Sequence, residues 1–404
     1  MARAFDGVRV IDLTQVFAGP YATLMLAGLG ADVVKLEPLA GDQGRRLLDH
    51  GPLAAVGMSP AFIGLNAGKR SLAIDLKRPE GLGLVRRLVE SADVFVENSR
   101  PGAMERLGLG YEALSAVRPE LIYCSISGYG QQGPRRDAPA YDGAVQASSG
   151  MMSIGGEPGQ DPLRVAFPVI DMTTGLNACI AISSALYRRA THGAGQFLDV
   201  AMFDSALSIM SPVVNNYLVA GTEPYQTGNS SLTLQPTTDL FQTKNGTMQI
   251  AALTLAQIES LCATLGRPDL LADPRFGTIA DQITNREAMR AEIAPLFLAR
   301  TRAEWVEILT QAGVPVGRVV TIPEALAEPQ VKARRLLVET PAIDLPELAG
   351  EPLTIVNAGW EAGDEGPDNG AAAPRLGQHS NEVLGELGLE VSEIAGLRDT
   401  GVIV

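Results

Sequence analysis

The chain has 404 residues, 46% hydrophobic and 19% charged, which excludes a disordered chain and leaves length for two domains with a large core. A formal net charge of −14 argues against a nucleic-acid partner, because phosphate binding needs a surplus of Lys and Arg. No apolar run reaches the roughly 18 residues of a membrane span, and MARAFDGVRVIDL passes straight into a strand-like segment without a leader, so the expectation is a cytoplasmic protein with no membrane partner.

Val8 to Leu13 (VRVIDL) reads as a strand, Tyr21 to Leu29 as a short helix and Asp32 to Leu36 as a second strand, which makes a βαβ opening. Glu37 stands where a nicotinamide-binding fold carries its ribose-binding acid, but the connecting TQVFAGP has Gly19 alone in place of the GxGxxG fingerprint. The first 106 residues hold 13 Lys/Arg against 12 Asp/Glu, and the rest of the chain carries −15. An anionic ligand is therefore sought in the N-terminal quarter, where Lys69-Arg70, Lys77-Arg78, Arg86-Arg87, Arg100 and Arg106 are spaced. Each of these taken singly also reads as a solvated surface charge.

A helix opens at Pro79, where the missing N–H of proline costs nothing, and strands follow at Asp93 to Asn98 and Leu121 to Gly128. Strands alternating with helices imply a parallel sheet covered on both faces. The segment from Pro162 to Ser183 is almost uncharged and carries one carboxylate, Asp171, and it reads as a strand handing over to a long helix. Asp171 there reads equally as a helix N-cap or as a catalytic carboxylate in an α/β ligand crevice, and the two are compatible.

The texture turns polar near residue 221. DLFQTKNGTMQIAAL holds two alternating runs joined at Asn245-Gly246, a hairpin signal, and helical patterns follow near 255–265, 285–299 and 302–312. A smaller domain is placed at 221–330. Residues 360–377, rich in Gly, Ala, Pro and acid, are expected to be exposed, and 380–389 to form a helix returning to the first domain. His50, His192 and His379 sit in loop-like contexts, and Cys124, Cys179 and Cys262 lie far apart in apolar surroundings. They offer no catalytic triad, disulfide or metal pattern, so no metal is expected and any chemistry falls to a carboxylate.

GVRVIDLTQVFAGPYATLMLAGLGADVVKLEP, NAGKRSLAIDLKRPEG, ADVFVENSRPGAMERLGLGYEAL, LIYCSISGYGQQGP and GQFLDVAMFDSAL, with LGRPDLLADPRF and AGVPVGRV downstream, resemble the family III CoA-transferases over nearly the whole chain. The resemblance implies an α/β fold: a large Rossmann-like domain with a parallel sheet, formed by residues 1–220 and completed by 331–404, a smaller α+β domain, and an interlocked homodimer. It implies an enzyme that moves coenzyme A between an acyl-CoA and a small carboxylic acid. Asp171 matches the family's catalytic aspartate, which forms an acyl-aspartyl anhydride and then an aspartyl-CoA thioester. Phe17, Ala18, Ile74, Lys77, Asn98, Ser99, Arg100 and Arg106 match CoA-site positions, while Tyr141 borders the acyl region and Met202 lies near the aspartate. Phe17 and Pro38 stand where some transferases carry Gln and Arg, leaving a phosphate contact to Arg45 or Arg46, and TGNSS at 227–231 is the nearest counterpart of a glycine-rich shielding loop. Arg135, Arg136 and Arg164 are candidates to meet a dicarboxylate acceptor. Two alternatives stay open: a 2-methylacyl-CoA racemase, which resembles this pattern but carries Gly-His-Asp where this chain has Ala140-Tyr141-Asp142, and a non-catalytic CoA-binding protein.

Overall fold

A computed structural model describes residues 3–48, 51–343, 350–363 and 365–404. The chain divides into two compact units, the first made of Met1–Met151, Val165–Ala220 and Pro329–Val404 and the second of Met152–Arg164 and Gly221–Glu328. The segment 152–164 goes with the second unit, although a linear division near residue 220 assigns it to the first.

The first unit is built on six strands, β1 Arg9–Leu13, β2 Asp32–Glu37, β3 Arg70–Ala73, β4 Val94–Glu97, β5 Ile122–Ser127 and β6 Gln196–Ala201. They pair in parallel in the order β3-β2-β1-β4-β5-β6. That is the doubly wound order whose direction reverses between β1 and β4. Strand residues alternate between two cores, as a sheet covered on both faces requires. Ile11, Val34 and Phe95 face Leu84, Val85 and Leu88, whereas Val10, Val33 and Val96 face Ala22, Leu26 and Ile182.

Helix α1 (Ala18–Gly28) is buried almost all round, which explains why its sequence lacks an amphipathic stripe. Helix α2 (Pro79–Glu90) has Pro79 at its first position, Glu80 in the first turn and Arg87 in the last, each matched to the helix dipole. The other helices of this unit that bear on the site are α3 (Asp142–Ser148), α4 (Val169–His192), α5 (Met202–Ile209) and α6 (Ser211–Ala220).

Helix α4 corrects one expectation. Its 24 residues are long and apolar enough to cross a membrane by length and composition, but Ala178, Ile182, Ala185 and Leu186 pack on the sheet as a core helix does. The segment before it corrects another. Residues 162–168 form no strand, because Pro162 and Pro168 cannot donate ladder hydrogen bonds, and Leu163 and Phe167 are exposed.

In the second unit, β7 (Thr238–Thr243) and β8 (Gly246–Ala251) form an antiparallel hairpin. The turn residues are Lys244-Asn245, since Gly246 already pairs with Thr243. A third strand, β9 (Val316–Arg318), joins β8. Helices α7 (Leu255–Thr264), α8 (Arg286–Ile293) and α9 (Arg302–Gln311) supply the core around Phe241, Met248 and Phe297. The helix expected over 285–299 tightens into a 3-10 turn at Ala294–Ala299, where Pro295 removes a donor.

The return segment carries strands β10 (Leu337–Thr340) and β11 (Leu353–Val356), paired antiparallel, and helix α10 (Ser380–Glu386). Val383 and Leu384 of α10 enter the core on the α2 side of the sheet, and Ile403 bridges Ile74. The described residues of 360–377 are only partly exposed: Asn369 and Ala373 are buried, and Asp368 N donates to Gly28 O at 2.9 Å.

Candidate active site

At the point where the sheet order reverses, the loops after β1 and β4 leave the sheet side by side, which is where open α/β sheets bind ligands. The two loops are clasped. Asn98 Oδ1 accepts from Gln15 N at 2.9 Å, and Asn98 Nδ2 donates to Gln15 O at 2.8 Å. Beside this clasp Val16 is held at φ 70, a left-handed conformation that costs a β-branched residue energy unless its surroundings impose it. Asp42 and Lys35 impose it: Val16 N donates to Asp42 Oδ1 at 3.0 Å, and Lys35 Nζ donates to Thr14 O at 2.8 Å and pairs with Asp42 at 2.9 Å.

A cleft of about 300 Å³ opens over these loops. The turn after β1 contributes Val16, Phe17 and Ala18, the turn after β4 contributes Asn98, Ser99 and Arg100, and Gly128, Arg136 and Tyr141 form the wall after β5. Asp171 and Met202 complete the lining. Gly128 is required at that wall, since a Cβ there would stand 2.3 Å from Ala140 Cβ. Underneath, Glu97 ends β4 with its carboxylate accepting from Ser99 N at 2.7 Å and from Ser125 Oγ. Burial pushes its pKa up to about 7 against those donors.

Asp171 occupies the first turn of α4, yet it is not the cap. Asp142 takes that role from another element: its Oδ2 accepts from Ile170 N at 2.7 Å and Asp171 N at 3.1 Å. Gln146 Nε2 donates to Asp142 Oδ1 at 2.6 Å, while Gln146 Oε1 accepts from Val165 N at 2.8 Å. Asp171 itself forms no ion pair and accepts no side-chain hydrogen bond among the described residues. Burial, and second the charge of Asp142, raise its pKa to about 7. The apolar frame is thinner than the segment suggests: Ile170 is buried, but Phe167 is 57% exposed.

Of the residues singled out from the sequence, Phe17, Ala18, Asn98, Ser99, Arg100, Tyr141, Asp171 and Met202 therefore line one cleft. Arg106 stands near its rim with Arg136, since a Cβ on Gly102 would lie 3.1 Å from Arg106 Nη1 and 3.6 Å from Arg136 Nη2. Ile74 and Lys77 do not join them. The Ile74 side chain is locked in the core under β3, and Lys77 is exposed before α2.

Several of the other basic residues are already engaged. Arg45 cannot stand in for a phosphate-binding arginine, because it is 2% exposed and forms a two-pronged pair with Glu37 at 2.7 Å. Lys69 is buried against Asp12 at 3.1 Å, and Arg70 pairs with Asp32, Glu382 and Glu386. Arg46 reaches Ala40 O. Arg100, Arg106 and Arg136 have no carboxylate partner among the described residues, so three guanidinium groups stand free around the cleft mouth.

His379 Nδ1 accepts from Ser71 N, His192 ends α4, and His50 lies outside the described residues. Burial raises the thiol of Cys262 to about 11 and those of Cys124 and Cys179 above the ordinary range, so none is a ready thiolate. Cys179 is half-buried rather than buried. The residues 227–231 considered for a shielding loop belong to the second unit. Sequence reasoning missed the role of Asp142, because its hydrogen bonds reach a helix 28 residues on and leave no local signal.

A sequence model described as CoA-transferase family III matches residues 5–380. The chain is 37% identical to a succinate–glutarate CoA-transferase of Agrobacterium fabrum over 95% of each protein, and 36% identical to an acetyl-CoA:oxalate CoA-transferase of Acetobacter aceti over 92% of each. Among solved structures, a CAIB/BAIF family protein from Brucella suis superposes with a TM-score of 0.83 at 33% identity, covering 96% of this chain and 100% of that one.

Proposed function

The chain belongs to CoA-transferase family III and is a CoA-transferase, and from that premise we propose that it exchanges CoA between an acyl-CoA and a small dicarboxylic acid through covalent acylation of Asp171. The observation that carries this reading is the Asp171 carboxylate: it lies in the cleft at the sheet's reversal point, and among the described residues no cation pairs with it and no donor hydrogen-bonds to it.

A carboxylate freed of strong donors and partly desolvated is a better nucleophile than one in water, and alignment beside a bound thioester raises its effective concentration by orders of magnitude. An Asp171 oxygen attacks the thioester carbonyl, the C–S bond breaks, and CoA leaves as thiolate. The thiolate attacks the Asp171 carbonyl of the anhydride, releasing the donor acid and leaving an aspartyl-CoA thioester. The acceptor carboxylate repeats the sequence in reverse, so that new acyl-CoA departs and Asp171 is regenerated. No proton is consumed in the cycle.

Coenzyme A enters as substrate and carrier. Arg100, Arg106 and Arg136 are the groups proposed for its phosphates or for the far carboxylate of a dicarboxylic acid, with Phe17, Ala18, Asn98 and Ser99 against the pantetheine and Tyr141 and Met202 beside the acyl group. Lys77 is retained as an outer contact, while Ile74 offers no side chain to a ligand. Both named relatives act on dicarboxylates by their names. We further propose an interlocked homodimer, supported by the apolar residues that α4 and α6 leave exposed, Ile180 at 63%, Leu218 at 70% and Val219 at 87%. A cytosolic location fits its three free cysteines.

The test is a panel of succinyl-, acetyl- and formyl-CoA against glutarate, succinate and oxalate in deuterated water. The reading expects acyl exchange with at least one pair and no deuterium at C2 of the acyl group. Deuterium entry without exchange would instead favour the racemase, for which Tyr141 is badly placed as a base, being 73% exposed.

A further inference from the structure

Two carboxylates meet at the start of α4 in opposite states of satisfaction. Asp142 is 9% exposed and receives three hydrogen bonds, from Ile170 N, Asp171 N and Gln146 Nε2, whereas the Asp171 carboxylate receives none among the described residues. The first fixes the backbone that carries the second. Gln146, fully buried, ties the same assembly to Val165 at 2.8 Å, so the chain entering α4 is held from both sides of the Pro168 bend. Had Asp142 served only as a helix cap, a neutral Ser or Asn would do as well. A carboxylate at this place brings a second negative charge beside the nucleophile.

We propose that Asp142 is a positioning residue for the transferase reaction, which holds the Asp171 carboxylate in attacking register through the backbone of residues 170–171 and drives its acylation by charge repulsion. The repulsion exists only while Asp171 is ionised. When an Asp171 oxygen bonds to the acyl carbon and the thiolate leaves, the side chain becomes a neutral anhydride and the two charges no longer oppose each other. Ground-state repulsion relieved in the covalent intermediate shifts the first step forward. It opposes the return of free Asp171 at the end of the cycle by the same amount, so the effect appears in the standing level of acyl-enzyme.

The other charged groups lining the cleft, Arg100 and Arg136, are solvent-exposed, and Asp204 on the neighbouring α5 couples to Asp199 rather than to Asp171. Asp142 is therefore the charge that Asp171 feels.

This inference rests on the covalent reading of Asp171, and the experiment separates the two. Purified Asp142→Asn and Asp142→Glu are compared with wild type for the pH profile of kcat/KM, for kcat against KM, and for acyl-enzyme trapped with hydroxylamine after mixing with succinyl-CoA. Asp142→Asn keeps an amide oxygen for the cap but loses the charge: its acid limb is expected at lower pH than wild type, with less trapped adduct and KM for acyl-CoA nearly unchanged. Asp142→Glu keeps the charge but is one methylene longer, so it is expected to retain the acid limb while kcat falls about 10- to 100-fold from misplacement. A wild-type adduct together with Asp142→Asn of unchanged limb and adduct level, or Asp142→Glu of unchanged kcat, would overturn the inference alone. Absence of adduct on wild-type Asp171 during turnover would overturn the covalent reading and this inference with it.

Discussion

Gly175 sits one helical turn after Asp171, on the face of α4 that meets α1. A Cβ added there would stand 2.6 Å from Ala18 O and 3.2 Å from Tyr21 Cβ. Carbon and oxygen in ordinary contact sit near 3.5 Å, so Gly175→Ala must part the helices by about 1 Å, and the obstacle is a backbone carbonyl that cannot swing aside. Overpacking of this kind costs about 1–3 kcal/mol, while alanine's better helix propensity returns up to ~1 kcal/mol. The net fall in Tm is then a few degrees. Activity is the sharper readout. Ala18 and Asp171 both line the cleft, and a shift of about 1 Å between nucleophile and substrate cradle costs on the order of 10²-fold in rate. Steady-state kinetics with the best substrate pair from the panel and a thermal melt, run beside Gly83→Ala, check this. A Cβ on Gly83 meets nothing within 4 Å, so that control should be stable and fully active. Gly175→Ala with wild-type kcat and Tm would refute the close packing of α1 on α4 as the element that sets the cleft.

Four further predictions concern charge. The pKa of Asp171, raised from 3.8 to about 7, means that between those values the folded protein holds a proton the unfolded chain has lost, so this group's contribution to stability falls as pH rises through that window and is level above it. Asp171→Asn should remove that slope in denaturant titrations at pH 5 and 8 and be the relatively more stable protein at pH 8; identical slopes in both proteins would count against the burial of Asp171. Because attack needs the ionised form, wild-type kcat/KM should fall on the acid side with an apparent pKa near 7, and a profile flat down to pH 5 would contradict it. Lys69 is fully buried, with Asp12, Pro20 O, Thr23 and Asn66 all within 3.1 Å. Lys69→Met strands the Asp12 charge and should cost about 3–5 kcal/mol, measured by guanidinium denaturation; a loss below ~1 kcal/mol would show that Lys35 and the threonines suffice. Arg136→Ala should raise KM for acyl-CoA or for the dicarboxylate several-fold with kcat largely kept, and a selective loss of kcat would mean that Arg136 acts on the reacting atoms instead.

The sheet was legible where its strands are buried on both faces. VRVIDL and DVVKL announce themselves because a parallel strand under helices is apolar along its length. β3 is not legible: Arg70-Ser71-Leu72-Ala73 is four residues long and opens on a charge, and only its place beside β2 makes it a strand. The buried ions were hidden for a related reason. Lys69 and Arg45 look like solvated residues in a linear reading, and Asp12 and Glu37, which neutralise them, come from other strands. The extended, exposed run before α4 reads as a strand because its composition is apolar, although its two prolines forbid a ladder. At the site, Asp171 stood out as a single acid in an apolar stretch, and the remaining cleft residues came from likeness to a family rather than from spacing. Asp142 and Gln146 could be found only in three dimensions.

The most direct measurement is peptide mass spectrometry of the enzyme quenched during turnover with acyl-CoA and treated with hydroxylamine. The account predicts a hydroxamate on the peptide carrying Asp171, absent from Asp171→Asn and from enzyme never given a thioester. Sustained CoA exchange with that peptide unmodified, or with the label on any other residue, would contradict it.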